Sequence, residues 1–581
     1  MDTYRPEEAW AFAQLDEFWE RYRPLTPWGK DAAEARPFIA DRAELERRYD
    51  DVEAALGFLA DRAGDPSSLD RASYHLRRMP RLALEAKDSY ELIELFQIKK
   101  FIANYRGARS VLGEPLALRF GMEGLADGSA AKALAAELDR GGSDPETFYL
   151  ADCYDGGLAE ARARVAAADA AIRSERVRAE AGARLDFGVG FDGREFLVLP
   201  KETTRAMMAA AGSRFSAEPF DDARYVVRVM PSDAALEAMS DRERALADER
   251  LAEERVIARI SALAAAAMPE LSAAVAATAR WDLARAGAAL AREFGMTRPR
   301  LDSGSLALER ARFEPCAWEC GRLGLGYTPL TAEFRSCATV LFGSNMGGKT
   351  VVLKTLLFFQ LLAQAGLFVP ADRFETRVYA RVAYVGELTG ERLAGLSGFG
   401  LELWRLMRAR GEDDDMPAAE GADACGAALA QAGEPAPSGA ALIAFDELAR
   451  TTGSHEAEAL LSAVVESYSG GPGSASSGNG DRAFFATHFR GVARLPGVEY
   501  RRMRGLDREA AAAAISSAGG AGIPGGGLEG RLAGINKHMR YEVVDDDGSG
   551  SESDALAIAS LLGLDGRIVE RARYYLTKDG L

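Results

Sequence analysis

The chain has 581 residues, 48% hydrophobic and 27% charged, a balance that excludes wholesale disorder and predicts roughly three or four structural units. Its formal net charge of -17 repels phosphate globally, so any contact with nucleic acid must come from a local basic surface. The five cysteines (Cys153, Cys316, Cys320, Cys337, Cys425) are sparse and odd in number, and Cys316 to Cys320 is not a zinc-knuckle spacing, which fits a reducing cytoplasm.

The N-terminus, MDTYRPEEAW, lacks the charged-then-apolar order of a secretory signal. Residues 32–181 carry apolar side chains at three-and-four spacing, as in ELERRYDDVEAALGFLADR and SYELIELFQIKKFI, and predict an all-helical region. At Leu185 the period changes to alternation in LDFGVGFDGREFLVLP, where Asp192-Gly193 has the chemistry of a tight hairpin turn, and RYVVRVMP is a second strand candidate. A long charged helix then runs from about Ser232 to Phe294, so a small β insert is expected between long helices. After Pro299 strand, loop and helix alternate, which predicts an α/β domain reaching the C-terminus. Residues 411–439, 469–480 and 507–530 are rich in Gly, Ala, Ser and acids and read as surface loops. Residues 350–369 are long and apolar enough to imitate a membrane span, but Lys354, Gln360 and Gln364 interrupt the run, and a buried helix is expected.

Chemistry concentrates in three short segments. The apolar strand CATVLF (residues 337–342) is followed at once by GSNMGGKT (residues 343–350) and then by the apolar helix, the strand, loop and helix order of a phosphate-binding P-loop. Gly343, Gly347 and Gly348 let the backbone curl so that its N–H groups point at phosphate oxygens, with Ser344, Asn345 and Met346 completing the nucleotide-binding loop. Lys349 would reach the β and γ phosphates of ATP, and Thr350 would place a hydroxyl where Mg²⁺ needs one. ALIAFDE (residues 441–447) is an apolar strand ending in two carboxylates; Asp446 would hold Mg²⁺, and Glu447 would orient or deprotonate the attacking water. His488 ends another short strand, RAFFATHF (residues 482–489), where it reads either as a γ-phosphate sensor or as a structural histidine. His75, His455 and His538 show no partner pattern.

Taken together, these motifs resemble the ATPase domain of the MutS family of dimeric DNA mismatch-repair ATPases. GSNMGGKT looks like that family's NMGGK loop, FDELARTTGS like its DEIGRGTS segment, FATHF like its FATHY switch, and ALAIASLLGLDGRIVERARYYL like its C-terminal dimerisation helices. GLSGFGLEL (residues 395–403) is similar to its trans-acting GRSTFMVEM signature, which implies that Ser397 reaches the nucleotide of the opposite subunit. YRPLTPWGKDAAEARPF is similar to the segment opening the family's helical lever. The resemblance implies a multidomain α and α/β fold: a helical core and lever (residues 1–184), a small β clamp (185–231), returning lever helices (232–298), a P-loop, ABC-like α/β ATPase domain (299–540) and a helical dimerisation segment (541–581). It further implies ATP and Mg²⁺ as cofactors and a cytoplasmic homodimer with no membrane.

Departures from the family pattern bear on the client. Mismatch readers carry two further domains ahead of the lever, the first with a Phe-x-Glu wedge; here the lever starts near Met1, and Phe18-Trp19-Glu20 matches the wedge only literally. ARTTGS stands where repair proteins have GRGTS, which removes glycines. The first reading is a dimeric clamp on DNA, in mismatch repair or a related transaction, with Arg77, Arg78, Arg81, Arg106 and Arg109 as a candidate basic surface. The alternative rests on ARTTGS, GINKHMRYEVVDDD and ELFQIKKFI, which look like a MutS-like subgroup of reactivating ATPases for a cobalamin-dependent lysine or ornithine aminomutase, with a protein client and no DNA.

Overall fold

The computed structural model describes residues 6–61, 66–124, 128–211, 214–343, 347–387, 398–410, 439–450, 452–470, 480–510, 534–548 and 554–578. The chain divides into two compact units, Asp70–Thr278 on one side and Met1–Leu69 with Ala279–Leu581 on the other, and the helix Asp233–Phe294 contributes residues to both.

In the Asp70–Thr278 unit, the helix Gly156–Phe187 pairs antiparallel with the helix Asp233–Phe294. Small residues let the two approach: Ala161, Ala168, Ala245 and Ala252 are buried along the seam, with Val256. Ion pairs set the register on the flanks, Arg162 to Glu249 and Glu253, Arg164 to Asp248 and Arg242 to Asp169. Solvent-facing pairs of this kind add about 0–1 kcal/mol each, so alignment rather than stability is their main contribution. A three-stranded antiparallel sheet follows the first of these helices, β1 (Phe196–Pro200), β2 (Phe215–Pro219) and β3 (Arg224–Val229) in the order β1-β3-β2. It closes with the helix Lys201–Ala211 over Val189, Phe191, Met207, Phe215 and Val227.

The hairpin expected across Asp192-Gly193 does not form. Both residues do turn, with φ of 48° and 78°, but the turn joins a helix to a strand. Residues 185–187 remain helical and Gly188, at φ 66°, ends the helix in the left-handed conformation. Val189 and Phe191 then enter the small core, which leaves β1 to pair with β3. The alternation read at Leu185 is a helix end followed by an irregular core segment, two patterns that coincide over so few residues.

In the other unit, β4 (Asp302–Ala311), β5 (Leu330–Phe334) and β7 (Arg373–Arg377) form an antiparallel sheet in the order β5-β4-β7. A six-stranded sheet runs β12-β11-β6-β10-β9-β8, from β6 (Ala338–Phe342), β8 (Arg381–Val385), β9 (Ala441–Asp446), β10 (Arg482–Thr487), β11 (Val498–Leu506) and β12 (Met539–Asp545). β8, β9, β10, β6 and β11 are parallel and β12 is an antiparallel edge. The unbroken apolar runs of β6, β9 and β10 suit strands covered on both faces. The helix Ser454–Ser467 covers one face through Ala457, Leu461, Val464 and Val465.

The helix Lys349–Gln364 is buried on nearly every side. Gln360 and Gln364, which mark it as something other than a membrane span, form a saturated internal network. Gln360 Nε2 donates to Gln364 Oε1 at 2.7 Å and to the Arg377 carbonyl at 3.0 Å, while Gln364 Nε2 donates to the Ile39 and Tyr379 carbonyls at 3.0 and 2.8 Å. Buried amides are tolerated when paired in this way. Phe18 is also in this core, with ring centroids 5.0 Å from Phe294 and 5.2 Å from Phe358, so the Phe18-Trp19-Glu20 segment presents no projecting wedge.

Candidate functional site

β6, β10 and β9 are parallel neighbours, with Phe342 opposite Thr487 and Ala486 opposite Asp446. Gly343 after β6, His488 after β10 and Glu447 after β9 therefore leave the sheet at one edge. Ligands of open parallel sheets bind there, beyond the carboxyl ends of the strands.

The loop after β6 is shaped by glycine where its neighbours crowd it. Gly348 has φ 92° and caps the helix Lys349–Gln364; a Cβ on it would lie 3.1 Å from Cδ1 of Tyr541 on β12. Gly343, at φ 153°, has the Met503 side chain 3.2 Å from the same hypothetical position. The helix that starts here points the positive end of its dipole at this loop, an element of an anion site. Lys349 is 3% exposed and its Nζ donates to the Gly343 carbonyl at 2.6 Å. Burial lowers its pKa, and the charges of Glu447 and Asp446 oppose that shift.

Burial has the opposite effect on Asp446, pushing its pKa above the usual carboxylate range; a hydrogen bond from Thr350 works against this, as do the charges of Lys349 and Lys354, while Glu447 reinforces it. Asp446 Oδ1 is buried without a hydrogen-bond partner among the described residues. An orphaned carboxylate oxygen beside a threonine hydroxyl at the mouth of this loop fits Mg²⁺, a hard cation satisfied by oxygen ligands and commonly held by one or two protein groups plus substrate phosphates. Among the described residues no cluster of three or more His, Cys, Asp or Glu could hold a metal alone, so such an ion would depend on nucleotide oxygens as well.

Glu447 lies one residue beyond the strand in the left-handed region, φ 53°, with its N–H donating to the Ala486 carbonyl at 2.9 Å. Its carboxylate oxygens stand 3.6 Å from His488 Nδ1 and 3.6 Å from Arg450 Nη1. Arg450 also pairs with Glu387. Glu447 is mostly covered and His488 about half exposed, so a carboxylate and an imidazole flank the same small space. This set can bind a polyphosphate, hold a divalent cation against it and orient a water.

Of the residues singled out from sequence, the structure brings together Gly343, Gly347, Gly348, Lys349, Thr350, Asp446, Glu447 and His488. Ser344, Asn345, Met346 and Ser397 lie outside the described residues. Two residues escaped the sequence reading. Lys354, treated only as an interruption of an apolar run, is half-buried with its ammonium over the Phe12 ring, and the Asp446 charge opposes the lowering of its pKa by burial; its i,i+4 spacing from Thr350, which places both on one helix face, was the available signal. Glu402 accepts a hydrogen bond from the Ala449 N–H at 3.0 Å, a contact that no spacing rule reveals. In the Asp70–Thr278 unit the candidate basic surface is partly neutralised, with Arg78 2.5 Å from Glu146, Arg109 3.4 Å from Glu114 and Arg106 3.8 Å from Asp139.

No family model matches the chain. Curated relatives do. It is 28% identical over 281 residues to the DNA mismatch repair protein MutS of Paracoccus denitrificans, covering 46% of this chain and 28% of that protein. The MutS of Nitratidesulfovibrio vulgaris is 26% identical over 375 residues, 62% of this chain and 36% of the relative. Endonuclease MutS2 of Exiguobacterium sibiricum is 26% identical over 343 residues, 58% and 36% respectively. The matched part thus spans 28% to 36% of the length of these relatives. By these similarities the chain is MutS-like.

Proposed function

We propose that this protein is a Mg²⁺-dependent ATPase that works as a homodimeric clamp on DNA, in mismatch repair or a related DNA transaction. The observation that carries the reading is the convergence at one sheet edge of a glycine-shaped loop with a buried lysine, a Thr350–Asp446 pair with an orphaned oxygen, and Glu447 beside His488. In this reading residues 343–350 cradle the phosphates of ATP, with Lys349 turning from the Gly343 carbonyl to the β and γ phosphates. Thr350 and Asp446 hold the cation, which when bound neutralises charge on the phosphate oxygens. Glu447 orients the attacking water and takes its proton as the bond from the γ-phosphorus to ADP breaks, and His488 senses the γ phosphate. Ser397 completes the site of the second subunit.

The names of the relatives, a mismatch-repair protein and an endonuclease, favour DNA over a cobalamin-enzyme client. Residues 185–231 then act as the clamp on DNA, residues 1–184 and 232–298 as the lever, residues 299–540 as the ATPase and residues 541–581 as the dimer contact. Exposed Ile568, Tyr574 and Tyr575 on the helix Gly566–Lys578 support an association surface there. The compartment is the cytoplasm.

ATP hydrolysis measured alone and with duplex, mismatched or branched DNA tests both parts. DNA should stimulate turnover, with binding that weakens steeply as salt rises. Lys349→Ala should weaken ATP binding by roughly 30-fold or more, the loss of a charge-assisted contact worth about 2–3 kcal/mol. Unchanged nucleotide affinity in Lys349→Ala would sink the ATPase reading, and turnover and binding indifferent to every DNA would sink the DNA reading.

A further inference from the structure

The loop that carries Glu447 contains a second residue in an unfavourable backbone state. Ala449 has φ 64° and Glu447 φ 53°, and neither is glycine, so each L side chain sits where its Cβ crowds the following carbonyl. Such conformations persist only where surrounding contacts overdetermine them. The Glu447 N–H is held by β10 through the Ala486 carbonyl. The Ala449 N–H is held from outside the sheet, by Oε2 of Glu402 on the helix Gly398–Arg410. That helix is itself tied down one turn later, where Arg405, 4% exposed, donates from Nη1 to the Gly386 carbonyl at 2.5 Å. Between the two tethers the loop makes its own turn, with Arg450 N–H donating to the Glu447 carbonyl at 3.2 Å and Thr452 Oγ1 to the Ala449 carbonyl at 2.9 Å.

We infer that Glu402 is a positioning residue for hydrolysis: by accepting the Ala449 amide proton it holds the Glu447 loop in its left-handed turn and so aims the Glu447 carboxylate toward His488. The inference rests on the ATPase reading of this site. It explains how the loop keeps its shape with alanine at a position whose φ favours glycine, because a charge-assisted bond to a half-buried carboxylate replaces conformational freedom as the source of the turn. Burial raises the Glu402 pKa and the Ala449 amide opposes that shift, so the carboxylate and the amide depend on one another.

Four proteins test this: wild type, Glu402→Gln, Glu402→Ala, and Glu402→Ala combined with Ala449→Gly. Each is measured for steady-state ATP hydrolysis, equilibrium nucleotide binding and amide hydrogen exchange in residues 446–450. The Gln carbonyl still accepts the amide proton, so Glu402→Gln should keep kcat within about twofold of wild type and keep the loop protected. Glu402→Ala should lose roughly tenfold in kcat with nucleotide Kd unchanged, and should exchange faster at Ala449. Adding Ala449→Gly should recover most of the lost kcat, since glycine adopts the turn unaided. Wild-type kcat in Glu402→Ala, or equal loss of kcat and affinity in both the Ala and Gln variants, overturns the inference. A wild type that hydrolyses no ATP overturns the ATPase reading instead, and the exchange data then decide the anchor alone: equal protection of Ala449 in wild type and Glu402→Ala rejects it.

Discussion

Asp446→Asn should make the nucleotide-free protein more stable while abolishing its hydrolysis. In the folded chain Asp446 sits beside Thr350 with Oδ1 buried and unpartnered, and burial holds its pKa up despite Lys349 and Lys354. Asparagine has the same shape and an oxygen that can still accept from the Thr350 hydroxyl, but no charge to desolvate. Each unit of pKa elevation corresponds to about 1.4 kcal/mol, and relief of an incompletely paired buried group is typically worth about 1–2 kcal/mol. A gain of about 1 kcal/mol raises Tm by roughly 2–4 °C in a large domain. The pH dependence identifies the cause. Because the folded pKa lies above the unfolded value, the folded state keeps a proton that the unfolded state loses, and wild-type stability falls as pH rises through that window. The advantage of asparagine should therefore grow as pH rises and vanish below about pH 4, near the unfolded carboxylate value. Thermal denaturation of both proteins at pH 7.5 and toward pH 4 measures it. Saturating Mg²⁺ and ATP should reverse the order, since ligand at 100 times its Kd adds about 2.7 kcal/mol to wild type and less to a variant lacking the carboxylate. An asparagine variant no more stable than wild type at pH 7.5 would refute the charge argument, and so would an advantage that persists in acid.

Removal of the other groups at this edge should separate binding from chemistry. Glu447→Gln should bind ATP with wild-type affinity and lose about 100-fold or more in kcat, as read by single-turnover hydrolysis; normal turnover removes Glu447 as the base. His488→Ala should lower kcat by about tenfold without changing ADP affinity, measured by comparing ATP and ADP binding with turnover, and equal weakening of both nucleotides would show that the imidazole serves the fold and not the γ phosphate.

How much of this was legible before folding follows from the range of each interaction. GSNMGGKT between an apolar strand and an apolar helix is a local pattern, and β6, the glycine-shaped loop and the helix Lys349–Gln364 appear where it puts them. The strand ending in Asp446 and Glu447 and the one ending before His488 are equally local, each a short apolar run with polar residues at its end. Local reading fails where two patterns overlap, as at Leu185, whose apparent alternation is a helix end. Only the tertiary structure decides that β10 lies between β6 and β9, because parallel neighbours are joined by long crossovers and periodicity says nothing about their order. That order sets Glu447 3.6 Å from His488. It also decides that the Asp446 charge acts on Lys354, that Tyr541 closes on Gly348 and that Glu402 holds the Ala449 amide. The chain by itself thus determined which residues make up the candidate site, through motifs a few residues long. Tertiary packing decided their mutual geometry and protonation, because burial and charge pairing arise only when segments distant in sequence exclude water from one another.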